Sequence, residues 1–103
     1  MSPAPNDRFA ILSAKIKEAG RVVARARTVW TASQSRYMQL IETHGTMESV
    51  TGAAWLDASA TYEVYLDACK VKGDFIRAVE DLRRQVDEAR REVRRRLPPS
   101  QDA

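Results

Sequence analysis

Proline is missing from the interior of this chain. Its four prolines sit at positions 3, 5, 98 and 99, so residues 6 to 97 contain nothing that forbids helix. Glycine is scarce as well, at four residues, and there is one histidine. A single cysteine, Cys69, excludes an internal disulfide and suits a reducing compartment; its simplest role is that of a small buried apolar residue. No apolar run is long enough to span a membrane, and the N-terminal "MSPAPNDR" lacks the charged-then-apolar pattern of a signal peptide. No strand pattern, glycine-rich phosphate loop, nucleophile elbow or Cys/His metal spacing is present. These absences point away from an enzyme and from any cofactor or metal, and towards a cytoplasmic chain (the host cytoplasm if it is phage-encoded) with no membrane contact.

What is present is amphipathic periodicity. Phe9, Leu12, Ile16, Ala19, Val23, Ala26, Trp30, Ser33, Tyr37, Leu40 and His44 follow steps of three and four without a slip. That is the seam of a left-handed coiled coil. Asn6 or Asp7 is the expected N-cap, and Gly45 the expected stop. Ala19, Ala26 and Ser33 take alternate seam positions, so a partner helix can approach closely. A second apolar stripe runs through Trp55, Ala58, Tyr62, Tyr65, Leu66, Cys69, Phe75, Ile76, Val79, Leu82, Val86, Ala89, Val93 and Leu97. Thr46 or Thr51 would cap this helix. Gly73 could end it and Asp74 open a third. A continuous or merely kinked helix is preferred, because a first helix of about 36 residues matches two short ones poorly.

The fold class expected is therefore all-α: an elongated antiparallel helical hairpin with coiled-coil-like packing, its second helix kinked or split near Gly73 if interrupted at all. Residues 1–6 are expected to be a disordered N-terminus. Residues 7–97 form a single helical domain, with helices at about 7–44 and 47–97, and residues 98–103 are a disordered tail. With the turn near 45–50, residues 87–97 overhang the first helix. Val86, Ala89, Val93 and Leu97 then continue the stripe with no intrachain cover, which marks them for self-association, most simply as a homodimeric four-helix bundle.

Charge is unevenly laid out. Residues 8 to 36 hold seven Lys/Arg and one acid, residues 37 to 69 hold five acids and no Lys/Arg, and residues 70 to 97 hold ten Lys/Arg and six acids. In a hairpin this makes a basic open end and an acidic turn end. Five arginines crowd residues 90–96, but Glu80, Asp87, Glu88 and Glu92 precede arginines by three or four positions, the order that supports a helix. Arg8, Lys15, Lys17, Arg90, Arg94, Arg95 and Arg96 are the residues a phosphate backbone would meet. No aromatic interleaves them, so nucleic acid is the secondary reading. The acidic end carries aromatic residues. Glu48, Trp55, Asp57, Tyr62, Glu63 and Asp67 are the candidate protein-binding residues, with Met47 beside them, since interfaces enrich aromatics and methionine and acids steer towards basic surfaces. His44, at a helix end, suits the dipole better than it suits catalysis.

"AAWLDASA" near the turn of a hairpin of about 100 residues resembles the Trp-x-Gly secreted-effector family. The chain departs from that pattern: Trp55 is followed by Leu56 and Asp57, and residues 80–103 hold no tyrosine for the export signal. In size, composition and lack of catalytic motifs the chain is similar to the small all-helical inhibitors of phages and mobile elements, the anti-CRISPR type among them. That resemblance implies a stoichiometric blocker or adaptor on a large nucleic-acid-handling complex, with the acidic, aromatic end as the contact. A nonspecific nucleic-acid-binding architectural protein and a structural coiled-coil subunit are the alternatives.

Overall fold

A computed structural model describes residues 4–46 and 48–97, apart from the side chain of Glu48. Two helices, α1 (Pro5–His44) and α2 (Glu48–Arg96), pack against each other as an antiparallel hairpin. The molecule is a rod of 82 × 24 × 20 Å. No strand occurs among the described residues.

α1 starts earlier than its sequence suggests. Ala4 is the N-cap, without a side-chain cap bond, and neither Asn6 nor Asp7 takes that position. Pro5 decides this: its fixed φ suits the first helical turn and its missing N–H would have been unpaired there anyway. Asp7 falls in the first turn, where it complements the positive end of the helix dipole. Gly45 stops the helix as expected. Its φ of 68° and ψ of −154° are open only to glycine, and its N–H donates to the Ile41 carbonyl at 2.7 Å. Glu48 begins α2, so neither Thr46 nor Thr51 stands immediately before the helix; Thr51 lies inside it and is buried.

α2 runs unbroken through Gly73 for 49 residues, roughly 74 Å at 1.5 Å per residue. No third helix forms. The expected disorder of the outermost residues, 1–3 and 98–103, falls outside the described residues.

The seam of α1 is the predicted one: every position from Phe9 to Leu40 is buried or half-buried, and only His44 is exposed. In α2 the seam is Thr51, Ala54, Ala58, Thr61, Tyr65, Ala68, Lys72, Phe75, Val79, Leu82 and Val86, again in steps of three and four. Trp55, Tyr62, Leu66 and Ile76 lie beside it and are exposed, a correction to the stripe read from sequence. Polar members of the seam are accommodated locally. The Thr61 hydroxyl donates to the Ala58 carbonyl at 3.0 Å. Lys72 lays its stem over Gly20, its Nζ 3.7 Å from where a Cβ would stand.

The register follows from three contacts. Lys15 sits over the Phe75 ring at 5.7 Å, Gly20 faces Lys72, and Trp30 meets Tyr62 and Tyr65. Small residues dominate the middle of the seam, so the core is thin. Ala19, Ala26, Ala68 and Leu82 are its buried apolar members, and no described side chain is fully buried.

Candidate interaction surfaces

A helix with a seven-residue seam has two flanks, one on either side of the seam, and a solvent face behind. On α2 one flank carries Trp55, Tyr62, Cys69 and Ile76, each one position past a seam residue, with Leu66 one turn along. Heptad position puts Met38 of α1 on this side too. Trp55, Leu66 and Met38 are 53%, 46% and 50% exposed. Tyr62 leans inwards: its ring centroid lies 5.0 Å from Trp30 and 6.5 Å from Tyr65. Trp30 and Tyr65 stack at 5.4 Å with planes 14° apart. Of the three aromatics near the turn, Tyr62 and Tyr65 thus join the interhelical packing and Trp55 stands out from it.

The acids expected beside these aromatics do not share their flank. Helical spacing puts Asp57 on the opposite flank, one position before seam residue Ala58. Asp67 lies at the rim of that opposite flank, beside Val64 and Val71, and Glu63 lies towards the solvent face, the nearer of the two to Tyr62. All three are exposed. Glu48 and Met47 lie outside what the structure describes of side chains. The aromatic and acidic residues therefore form adjoining strips around the turn half of α2, not one mixed patch.

Among the described residues Tyr65 carries the one perturbed titration. The neighbouring Cys69 thiol, hydrogen-bonded to its hydroxyl, pushes the phenol above its ordinary range, with slight burial adding to the effect. Cys69 is half-buried and free.

At the open end the arginines are partly neutralised within their own helix. Glu92 holds Arg96 at 2.9 Å and Arg95 at 3.7 Å. Arg84 pairs with Asp81 at 2.7 Å and not with Glu80. Arg8, Lys15, Lys17, Arg90 and Arg94 have no carboxylate partner among the described residues. Pro5 meets Val86, Ala89 and Val93 in a shallow depression, so α1 covers α2 two residues, about half a turn, further than a start at residue 7 would allow. Val93 and Leu97 project beyond it, 58% and 60% exposed.

On the second flank, Val22 and Val29 read from the sequence as a widening of the α1 stripe on one side, whereas Val64 and Val71 of α2 do not stand out. Val22 and Val29 of α1 and Val64 and Val71 of α2 wall an open groove whose floor is Ala19, Ala26, Thr61 and Ala68. The signal was there: Val22 and Val29, and likewise Val64 and Val71, are spaced by seven residues, each one position before a seam residue.

Among the described residues no helix is long and apolar enough to cross a membrane, and no group of three His, Cys, Asp or Glu could hold a metal ion. Comparison with protein-family models, with curated proteins and with solved structures finds no match to this chain.

Proposed function

We propose that this chain is a non-enzymatic protein-interaction module of the cytoplasm, an inhibitor or adaptor that docks on a larger protein complex. The observation that carries this is the Trp55 strip. A tryptophan, a leucine and a methionine stand about half exposed on one flank of a rigid hairpin, in the half of the rod where residues 37 to 69 hold five acids and no Lys/Arg. Exposed aromatic and methionine side chains are anchors for a partner's apolar pocket, and the acids of the same half of the rod, Glu63 the nearest of them, favour a basic surface on that partner. A complex that handles nucleic acid has such surfaces, which is why an inhibitor of CRISPR-type or similar machinery is the reading preferred.

The test is binding to a purified candidate complex by calorimetry or interferometry. Trp55→Glu should weaken binding at least about a hundredfold, as loss of a central aromatic anchor does. Reversing Glu63, the acid nearest the strip, to lysine should slow association and weaken its salt dependence. Unchanged affinity in Trp55→Glu removes the strip from consideration. The secondary reading rests on Arg90 and Arg94, which lack carboxylate partners at the open end. A DNA or RNA mobility shift that vanishes with salt, and with Arg90→Glu/Arg94→Glu, would favour it.

A further inference from the structure

We propose that the valine-walled groove between α1 and α2 is a self-association surface, filled by the same groove of a second copy of this chain, with the two rods parallel and α1 of each lying against α2 of the other. This is independent of the Trp55 strip, which lies on the opposite flank.

Area is the first argument. The chain exposes 8368 Å², against about 5,800 Å² for a compact monomer of its 11.6 kDa mass. The excess, roughly 2,500 Å², exceeds the roughly 1,000 Å² per partner that a stable homodimer buries. The groove is where apolar area is concentrated. Val22, Val29, Val64 and Val71 are 44%, 54%, 59% and 48% exposed. They wall two adjoining open depressions of about 430 and 260 Å³. The floor of alanines and a threonine lets a second pair of helices approach closely, and four helices then enclose the core that two leave thin.

Charge is the second argument, and it selects the occupant. The α1 rim of the groove carries Arg8, Lys15 and Arg25, interrupted by Glu18; the α2 rim carries Asp67 and Asp81. Glu18 is held by Arg21 at 3.0 Å and also reaches Arg25 at 3.7 Å, and Asp81 holds Arg84 at 2.7 Å. Arg8 and Asp67 have no ion-pair partner among the described residues. A surface with one basic and one acidic rim complements itself when a two-fold axis runs along the rod. The axis lays each α1 rim on the α2 rim of the other copy. Since Trp30 is level with Tyr62 and Lys15 with Phe75, Arg25 falls beside Asp67 of the second copy, Val22 beside Val71 and Val29 beside Val64. The opposite arrangement, rods antiparallel, lays the mainly basic α1 rim on the α1 rim of the other copy and the acidic α2 rim on its α2 rim. Like open ends do meet in the parallel dimer, but charges there are solvated and screened beyond about 8 Å, whereas the rim pairs are in contact.

Sedimentation equilibrium of the full chain should give twice the monomer mass at micromolar concentration. The dissociation constant should rise about tenfold between low and high salt as the rim pairs are screened. Val64→Asp should give a monomer, while Ile76→Asp on the opposite flank should stay dimeric; circular dichroism at equal concentrations reports that both remain helical. Orientation is read by cross-linking on a Cys69→Ser background. A mixture of Arg25→Cys chains and Asp67→Cys chains should form a disulfide-linked pair on mild oxidation, and neither chain should do so alone. A concentration-independent monomer overturns the proposal. So does a dimer that Ile76→Asp disrupts and Val64→Asp leaves intact, or one in which Arg25→Cys links to itself and not to Asp67→Cys.

Discussion

Trp30 and Tyr65 stack across the two helices, ring centroids 5.4 Å apart and planes 14° from parallel. The pair sits in the turn half of the rod, where most other seam residues are alanine, serine or threonine. With Tyr62 beside it, the pair forms an aromatic cluster that packs the two helices together in that half.

Trp30→Ala should therefore cost about 3 kcal/mol, a large truncation plus a lost aromatic pair. Leu82→Ala, at a buried position near the open end, should cost about 2–4 kcal/mol. Urea denaturation followed by circular dichroism measures both.

Two glycines should respond with opposite sign. Gly45→Ala forces a side chain into a backbone region that glycine alone tolerates, and should destabilise by about 1–3 kcal/mol. Gly73→Ala places a methyl where nothing lies within 4 Å, inside a continuous helix, and should stabilise by about 0.5–1 kcal/mol. A destabilised Gly73→Ala would indicate that α2 bends there.

The two tryptophans should separate by fluorescence. Trp55 is 53% exposed and Trp30 is half-buried beneath tyrosines. Acrylamide should quench Trp30→Phe protein, in which only Trp55 emits, several-fold more strongly than Trp55→Phe protein. Trp55→Ala should shift stability by no more than about 0.5 kcal/mol, as for other exposed sites.

Tyr65 sets a pH dependence. Its pKa is raised in the folded chain, so the folded state holds the phenol proton longer than the unfolded state does. The stabilising contribution is complete below the ordinary tyrosine range and is lost as pH rises through that range to the folded value. In an ultraviolet titration Cys69→Ala should bring Tyr65 back down towards the ordinary tyrosine range, because the thiol is the main cause.

How legible this was from sequence differs between the helices. In α1 the largest apolar residues are the seam, and the period of three and four places them correctly from Phe9 to Leu40. In α2 they are not. Trp55, Tyr62 and Ile76 drew the stripe one position towards the flank, because Thr51, Thr61 and Lys72 do not read as core. Their fit depends on local neighbours: the Lys72 stem lies against Gly20, and the Ala58 carbonyl takes the Thr61 hydroxyl. The same shift separated the aromatics from Asp57 and Asp67, which a linear reading had grouped. The start of α1 was missed because Asn6 and Asp7 are stronger capping residues than Ala4, and Pro5 outweighed them.

α2 has no hinge. From Trp55 to Arg94 it is one helix of roughly 58 Å at 1.5 Å per residue, braced by α1 for most of that length. Whatever seats on the tryptophan is therefore held at a fixed distance, and at a fixed rotation, from the arginine cluster at the far end. A partner touching both Trp55 and Arg94 would have to match that separation as well as their chemistry, and inserting or deleting one helical turn between them would change the separation while leaving both ends intact.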